Sequence, residues 1–226
     1  MNSDVIGEFP RVSAQLVQQA SQFQPAILAD VAGRRGALHG RIQPLRPQMK
    51  LAGPAFTAEV RPGDNLMIHA ALMLAKPGDV IVVDGKGDLT AALMGAIMMN
   101  VCRERGLAGV VIDGAVRDTL ELAELGLPVF AAGANANGPT KNVAGRVGLP
   151  VTVGGVTVHP GDYVCGDADG VVVIERERLE SLLPAAHKKV AGEAARIEAI
   201  RQGDTAAKWL VAALRTAGVL AATETL

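Results

Sequence analysis

The chain has 226 residues and a formal net charge of −1, enough for one large domain with its own core. Balanced charge without a basic run removes the electrostatic footprint of a nucleic-acid binder, and no apolar stretch reaches the roughly 18 residues of a membrane span. Hydrophobic residues make up 49% but aromatics only 3%, so the core is read as Ala- and Val-rich, suited to helices packed closely on a buried sheet.

The first eleven residues carry Asp4 and Glu8 and no apolar run, so a signal peptide is not expected. Residues 11–20 and 25–32 read as short helices, 55–60 as a strand and 65–75 as a helix. Residues 79–84, DVIVVD, form a continuous apolar run closed by Gly85, the pattern of a strand buried on both faces. A helix is predicted over 89–105, ended by Gly106, then a second buried strand over 107–113, a helix over 118–125 and a strand over 128–131. The alternation implies a parallel β-α-β-α-β core. Residues 151–174 read as short β-segments joined by glycine turns, 175–201 as a long charged helix and 205–214 as a last helix. Three Pro-Gly-Asp triplets, ending at Asp64, Asp79 and Asp162, read as tight turns. No linker divides the chain, so a single domain over 1–226 is expected. Cys102 and Cys165 lie far apart and form no C-x-x-C, which points to free thiols in a reducing cytoplasm.

Several chemistries have no residues to run on. There is no H-E-x-x-H, and His39, His69, His159 and His187 are scattered, which weighs against zinc. There is no G-x-S-x-G and no Walker A sequence. What remains lies at strand ends, where parallel sheets bind ligands. The strand ending at Asp84 leads to Gly85-Lys86-Gly87-Asp88 and then Gly95-Ala96-Ile97-Met98; the strand ending at Asp113 leads to Arg117-Asp118. Arg117 can fork onto a carboxylate, and Asp118 can hold a hard cation such as Mg²⁺. From the residues alone, the plainer reading of the pair is a surface ion pair capping a helix. Gly95, in the interior of the predicted helix, marks either a close ligand approach or tight helix packing. Gly85-Lys86-Gly87 is a partial dinucleotide fingerprint with Thr90 where the third glycine belongs, so nucleotide or S-adenosylmethionine binding is a weak alternative.

The segment from Gly78 to Asp118, together with Gly53-Pro54-Ala55-Phe56-Thr57, Asp64-Asn65, Pro128-Val129-Phe130 and the run from Gly166 to Ile174, resembles the 4-hydroxy-4-methyl-2-oxoglutarate aldolase family. That family also contains the regulator of ribonuclease activity A, and members have carried a menaquinone methyltransferase label. The resemblance implies a compact α/β sandwich with a mostly parallel buried core and a β-rich C-terminal half flanked by helices. It implies homotrimers or homohexamers with sites at subunit boundaries, and a divalent cation, Mg²⁺ or Mn²⁺, as cofactor. Gly95, Ala96, Ile97 and Met98 match the segment whose amides bind the pyruvyl carboxylate, Arg117 the substrate-binding arginine and Asp118 the metal ligand.

One departure stands out. The aldolases carry an acid twenty residues ahead of the Arg-Asp pair, and that position is Ala96 here. Asp88 is a candidate replacement, as is Glu193 reaching a neighbouring subunit, with Glu198 a rival. The implied activity is metal-dependent release of pyruvate from 2-keto acids, by aldol cleavage, oxaloacetate decarboxylation or both. The non-catalytic regulator of ribonuclease activity is the alternative; keeping Arg117-Asp118 favours the enzyme.

Overall fold

A computed structural model describes residues 4–221 and 223–225. The chain clusters into two compact units, Met1–Ala186 and His187–Leu226. In the first, α1 (Ala14–Ala20) and α2 (Pro25–Val31) precede β1 (Gln43–Pro44) and β2 (Leu51–Glu59). Then come α3 (Leu66–Leu74), β3 (Val80–Met94), α4 (Ala96–Glu104), β4 (Gly109–Val116), α5 (Thr119–Glu124) and β5 (Val129–Ala134). Five short strands follow, β6 (Arg146–Val147), β7 (Val151–Val153), β8 (Val156–Val158), β9 (Tyr163–Asp167) and β10 (Gly170–Ile174). The helix α6 (Arg176–Arg201) contains the boundary between the units.

The main sheet has the order β1-β5-β4-β3-β2-β9-β10, with β6 also paired to β2. Strands β2 to β5 run parallel, and β1, β9 and β10 join antiparallel. The parallel strands are apolar on both faces because both are covered. Ile81, Val83, Val110 and Ile112 pack with Ile68, Leu72, Met99 and Leu122 from the helices. Their neighbours Val80, Val82 and Val111 pack on the opposite face with Val151, Val153 and Val158 of the β7–β8 hairpin. This is the layered α/β fold expected from the sequence. In the second unit, Arg196 donates to the carbonyls of Asp204 and Ala206, both at 3.0 Å, between the end of α6 and the segment leading to α7 (Leu210–Thr216).

Two expected elements are corrected. Residues 89–94 belong to a strand, and the helix begins only at Ala96. Ala, Leu and Met favour helix intrinsically, but residues 91–94 are buried, and Ala92 and Met94 pair with Ala115 and Val116 of β4. Burial plus ladder bonds outweighs a propensity worth only tenths of a kcal/mol per residue. Between Asp84 and Met94 the register against β4 shifts three times, with Asp88 opposite Gly114 between the first two shifts. The last helix also shifts, from the predicted 205–214 to Leu210–Thr216. The three Pro-Gly-Asp turns are present, each with its Asp N–H bonded to the carbonyl three residues back and its glycine at positive φ. Their aspartates, however, are at most 2% exposed.

Candidate active site

β4 ends at Val116, and the next two residues carry the chemistry. The Arg117 N–H donates to the carbonyl of Met94 at 3.0 Å, which zips the ends of β3 and β4 together. Asp118 then takes the left-handed conformation, φ 59 and ψ 35, at a cost on the order of 1 kcal/mol for a non-glycine residue. It occupies the N-cap position of α5 but does not cap it. Its Oδ2 instead accepts the N–H of Ala96 at 2.9 Å, the first residue of α4. The capping half of the helix-start reading therefore fails for Asp118: the carboxylate turns away from its own helix toward a neighbouring one.

Gly95 is the extended N-cap of α4, not an interior helical residue. A Cβ on it would lie 2.5 Å from Asp118 Oδ2 and 3.0 Å from Arg117 Cγ. The glycine is needed because the Arg-Asp pair closes onto the backbone here, a reason distinct from both helix packing and ligand approach. Arg117 Nε lies 3.7 Å from Asp118 Oδ2, and both side chains are partly exposed. From the far side, Gly138 approaches so closely that a Cβ there would be 3.0 Å from Arg117 Nη1.

Gly95, Ile97, Met98, Arg117 and Asp118 share the lining of one pocket of ≈ 230 Å³. Ala96 joins through its N–H bond to Asp118. Ile97 and Met98 stand in the first turn of α4, where amide N–H groups have no intrahelical acceptor and attract anions. Asp88 is not in the lining; its oxygens take the Thr90 hydroxyl at 2.9 Å. Glu193 belongs to the second unit, where it pairs with Lys189 at 3.0 Å. Lys86 is not in the lining and is tied to Asp84 at 2.7 Å and Glu59 at 3.0 Å.

Three polar residues of the lining, Asn65, His69 and Lys141, were given no site role from the sequence. Asn65, 3% exposed, donates to the Leu93 carbonyl at 2.8 Å and faces the Met98 sulfur at 3.2 Å, while its buried Oδ1 has no partner. His69 follows one turn along α3, and Lys141 enters from the segment after β5. Desolvation and the Lys141 charge hold the His69 pKa below its ordinary value, which favours the neutral imidazole. The Asp-Asn pair at a helix start was the only local signal for Asn65; nothing local ties residue 65 or 69 to residue 141.

Asp118 Oδ2 is engaged, while Oδ1 accepts no hydrogen bond among the described residues. No cluster of three or more His, Cys, Asp or Glu side chains suited to a metal occurs among those residues. A single carboxylate suits a hard ion that keeps water and substrate oxygens as its other ligands, and it does not suit zinc. No helix among the described residues is long and apolar enough to cross a membrane.

A family model described as RraA-like, Aldolase/RraA, matches residues 13–173. A protein of Halalkalibacterium halodurans, named as a proposed 4-hydroxy-4-methyl-2-oxoglutarate aldolase, is 42% identical over 163 residues, 72% of this chain and 78% of the relative. The crystal structure of RraAS2 from Streptomyces coelicolor, described as an unusual member of the RNase ES inhibitor RraA family, is 26% identical. It has a TM-score of 0.75 over 82% of this chain and 97% of its own. The RNA-processing inhibitor RraA from Thermus thermophilis is 33% identical with a TM-score of 0.62, over 67% and 92% of the two chains.

Proposed function

Because the chain belongs to the RraA-like (aldolase/RraA) family, we propose that it is a divalent-metal-dependent C–C lyase releasing pyruvate from 2-keto acids. The observation that carries this reading is the convergence of the Arg117 guanidinium, the Asp118 carboxylate and the first-turn amides of α4 on one pocket. The named aldolase activity of the relative supports it.

Asp118 would hold the cation, Mg²⁺ or Mn²⁺, through oxygen alone. When bound, the cation supplies Lewis-acid polarisation of the 2-keto oxygen. The amides of Ile97 and Met98 hold the C1 carboxylate at the helix N-terminus. Arg117 orients the keto acid and stabilises negative charge as it develops on the 2-oxygen. The C3–C4 bond then breaks with its electron pair left on C3 and delocalised toward that oxygen. Protonation at C3 gives pyruvate.

The two reactions differ in proton demand. Aldol cleavage needs a base to take the 4-hydroxyl proton; decarboxylation releases CO₂ and needs none. The methyl group of Ala96 cannot accept a proton where the aldolases carry an acid, and a general base contributes about 10²–10⁴-fold. Oxaloacetate decarboxylation is therefore expected to exceed cleavage of 4-hydroxy-4-methyl-2-oxoglutarate in kcat/KM, and Ala96→Asp should narrow the gap. Pyruvate release from both substrates, with Mg²⁺, Mn²⁺ and excess chelator, tests the reading. Full activity in chelator, or no release from any keto acid, contradicts it. The ribonuclease-regulator reading draws on the solved relatives, but binding a protein requires no Arg-Asp pair convergent with helix amides, which favours the lyase.

A further inference from the structure

A second cavity, of ≈ 290 Å³, lies in the first unit beneath the turn between α1 and α2 and shares no residue with the pocket at Arg117. It sits at the start of β2, whereas Asn65 of the other pocket follows that strand's far end. Its inner wall is formed by Phe23, Ala52, Tyr163 and Cys165, which belong to one apolar cluster. The Tyr163 hydroxyl breaks the pattern: the residue is 0% exposed, and among the described residues its oxygen has no hydrogen-bond partner. The Cys165 thiol beside it donates instead to the Val172 carbonyl at 3.7 Å, and sulfur is a weak acceptor. Burial pushes the phenol pKa up, so the hydroxyl keeps its proton and stands as an unmet donor. Leaving such a group unpaired costs about 1–3 kcal/mol, which an acceptor on a ligand would offset.

The mouth of the cavity is charged. β2 and β9 pair antiparallel, with Leu51 opposite Gly166 and Ala52 opposite Cys165. One step further out, the register puts Lys50 opposite Asp167, on the face that carries Ala52, Cys165 and Tyr163. Opposite charges in such positions ordinarily pair. Here Asp167 Oδ1 accepts the Asp169 N–H at 3.0 Å, and the Asp167 charge is felt at the Cys165 thiol. Lys50 forms no ion pair or hydrogen bond among the described residues. A cation and an anion therefore stand side by side at the mouth, and an unmet donor stands at the inner wall. We infer that this cavity binds a free α-amino acid whose side chain ends in a hydrogen-bond acceptor: Lys50 takes its carboxylate, Asp167 its ammonium group and the Tyr163 hydroxyl its side-chain acceptor. A volume at the small end of the roughly 300–1,000 Å³ of ligand pockets suits a molecule of that size. The inference is independent of the chemistry proposed at Arg117.

The probe is L-glutamine, whose side-chain carbonyl supplies the acceptor. L-Norleucine lacks that acceptor, and glutaramate lacks the ammonium group. Titration calorimetry on the wild type should show glutamine bound and each analogue about tenfold weaker, the scale of one lost hydrogen bond or charge contact. Tyr163→Phe should lower glutamine affinity about tenfold and leave norleucine unchanged, whereas Lys50→Met should weaken both amino acids about tenfold. Lys50 is exposed and Tyr163→Phe keeps the ring, so both variants should fold. Without ligand, Tyr163→Phe should melt no lower than the wild type, because the hydroxyl it removes has no partner. No glutamine binding by the wild type, either analogue binding as tightly as glutamine, or glutamine binding untouched by either substitution overturns the inference. A Tyr163→Phe protein clearly less stable than the wild type would show the hydroxyl already paired within the chain, and overturns it too.

Discussion

Arg117 and Asp118 are adjacent in the chain, and the proposed function assigns them separable tasks. The guanidinium of Arg117 is partly exposed at the pocket, packed against the Gly138 backbone. Lysine at this position keeps the charge and loses the planar fork. We expect Arg117→Lys to lower kcat/KM by about 10- to 100-fold, roughly 1.4–2.7 kcal/mol, with metal affinity and thermal stability close to wild type. Steady-state kinetics beside a metal titration checks this; unchanged turnover would reduce Arg117 to an ion-pair partner. These two residues and Gly95 to Met98 were legible as one candidate constellation in the sequence, and the structure brings them together. What was hidden is how they meet: that Asp118 bonds the Ala96 amide, and that Gly95 is a glycine because the pair closes on it. Those facts depend on a left-handed residue and on the β3–β4 register, neither of which leaves a local trace.

At the scale of elements, the turn before α3 acts as a clip. Asp64 holds the segment around Lys141, while Asn65 holds the end of β3 and the first turn of α4. Burial pushes the Asp64 carboxyl up, but the Thr140 hydroxyl and the N–H groups of Asn142, Leu66 and Val143 outweigh it, and the pKa is lowered. A carboxyl with a lowered folded pKa contributes stability that is full above its unfolded value, about 3.9, and is lost as pH falls through the folded value below it. Asp64→Asn should therefore be less stable than wild type by about 1–3 kcal/mol from pH 5 to 8, with the gap narrowing only below about pH 4. Denaturant melts across that range decide it; a gap that persists unchanged at pH 3 would contradict the assignment. The sequence marked this turn as punctuation. Its partners lie 76 to 79 residues away, so the reach of the Asp64 side chain could not be read from spacing. The same limit explains residues 89–94, whose helix-forming composition conceals a strand determined by its pairing with β4.

At the scale of the whole molecule, the parallel core was readable because buried strands announce themselves as Val- and Ile-rich runs bounded by glycine and proline. The antiparallel additions were readable only as short β-segments: that β9 pairs with the start of β2 and that β7–β8 covers the far face are long-range facts. Ile97 and Leu120, at the starts of α4 and α5, are each 80% exposed, large apolar surface of the kind an assembly covers. We expect a closed homotrimer or homohexamer in sedimentation, and a fully active monomer would remove Glu193 as a residue shared between subunits. In the proposed function, Arg117 and Asp118, with a divalent cation, stabilise the enolate of pyruvate. The direct measurement is exchange of the pyruvate methyl protons in D₂O followed by ¹H NMR. We expect exchange with Mg²⁺ or Mn²⁺ that stops in excess chelator and in a folded Asp118→Ala variant; exchange that continues undiminished in either case would contradict the account.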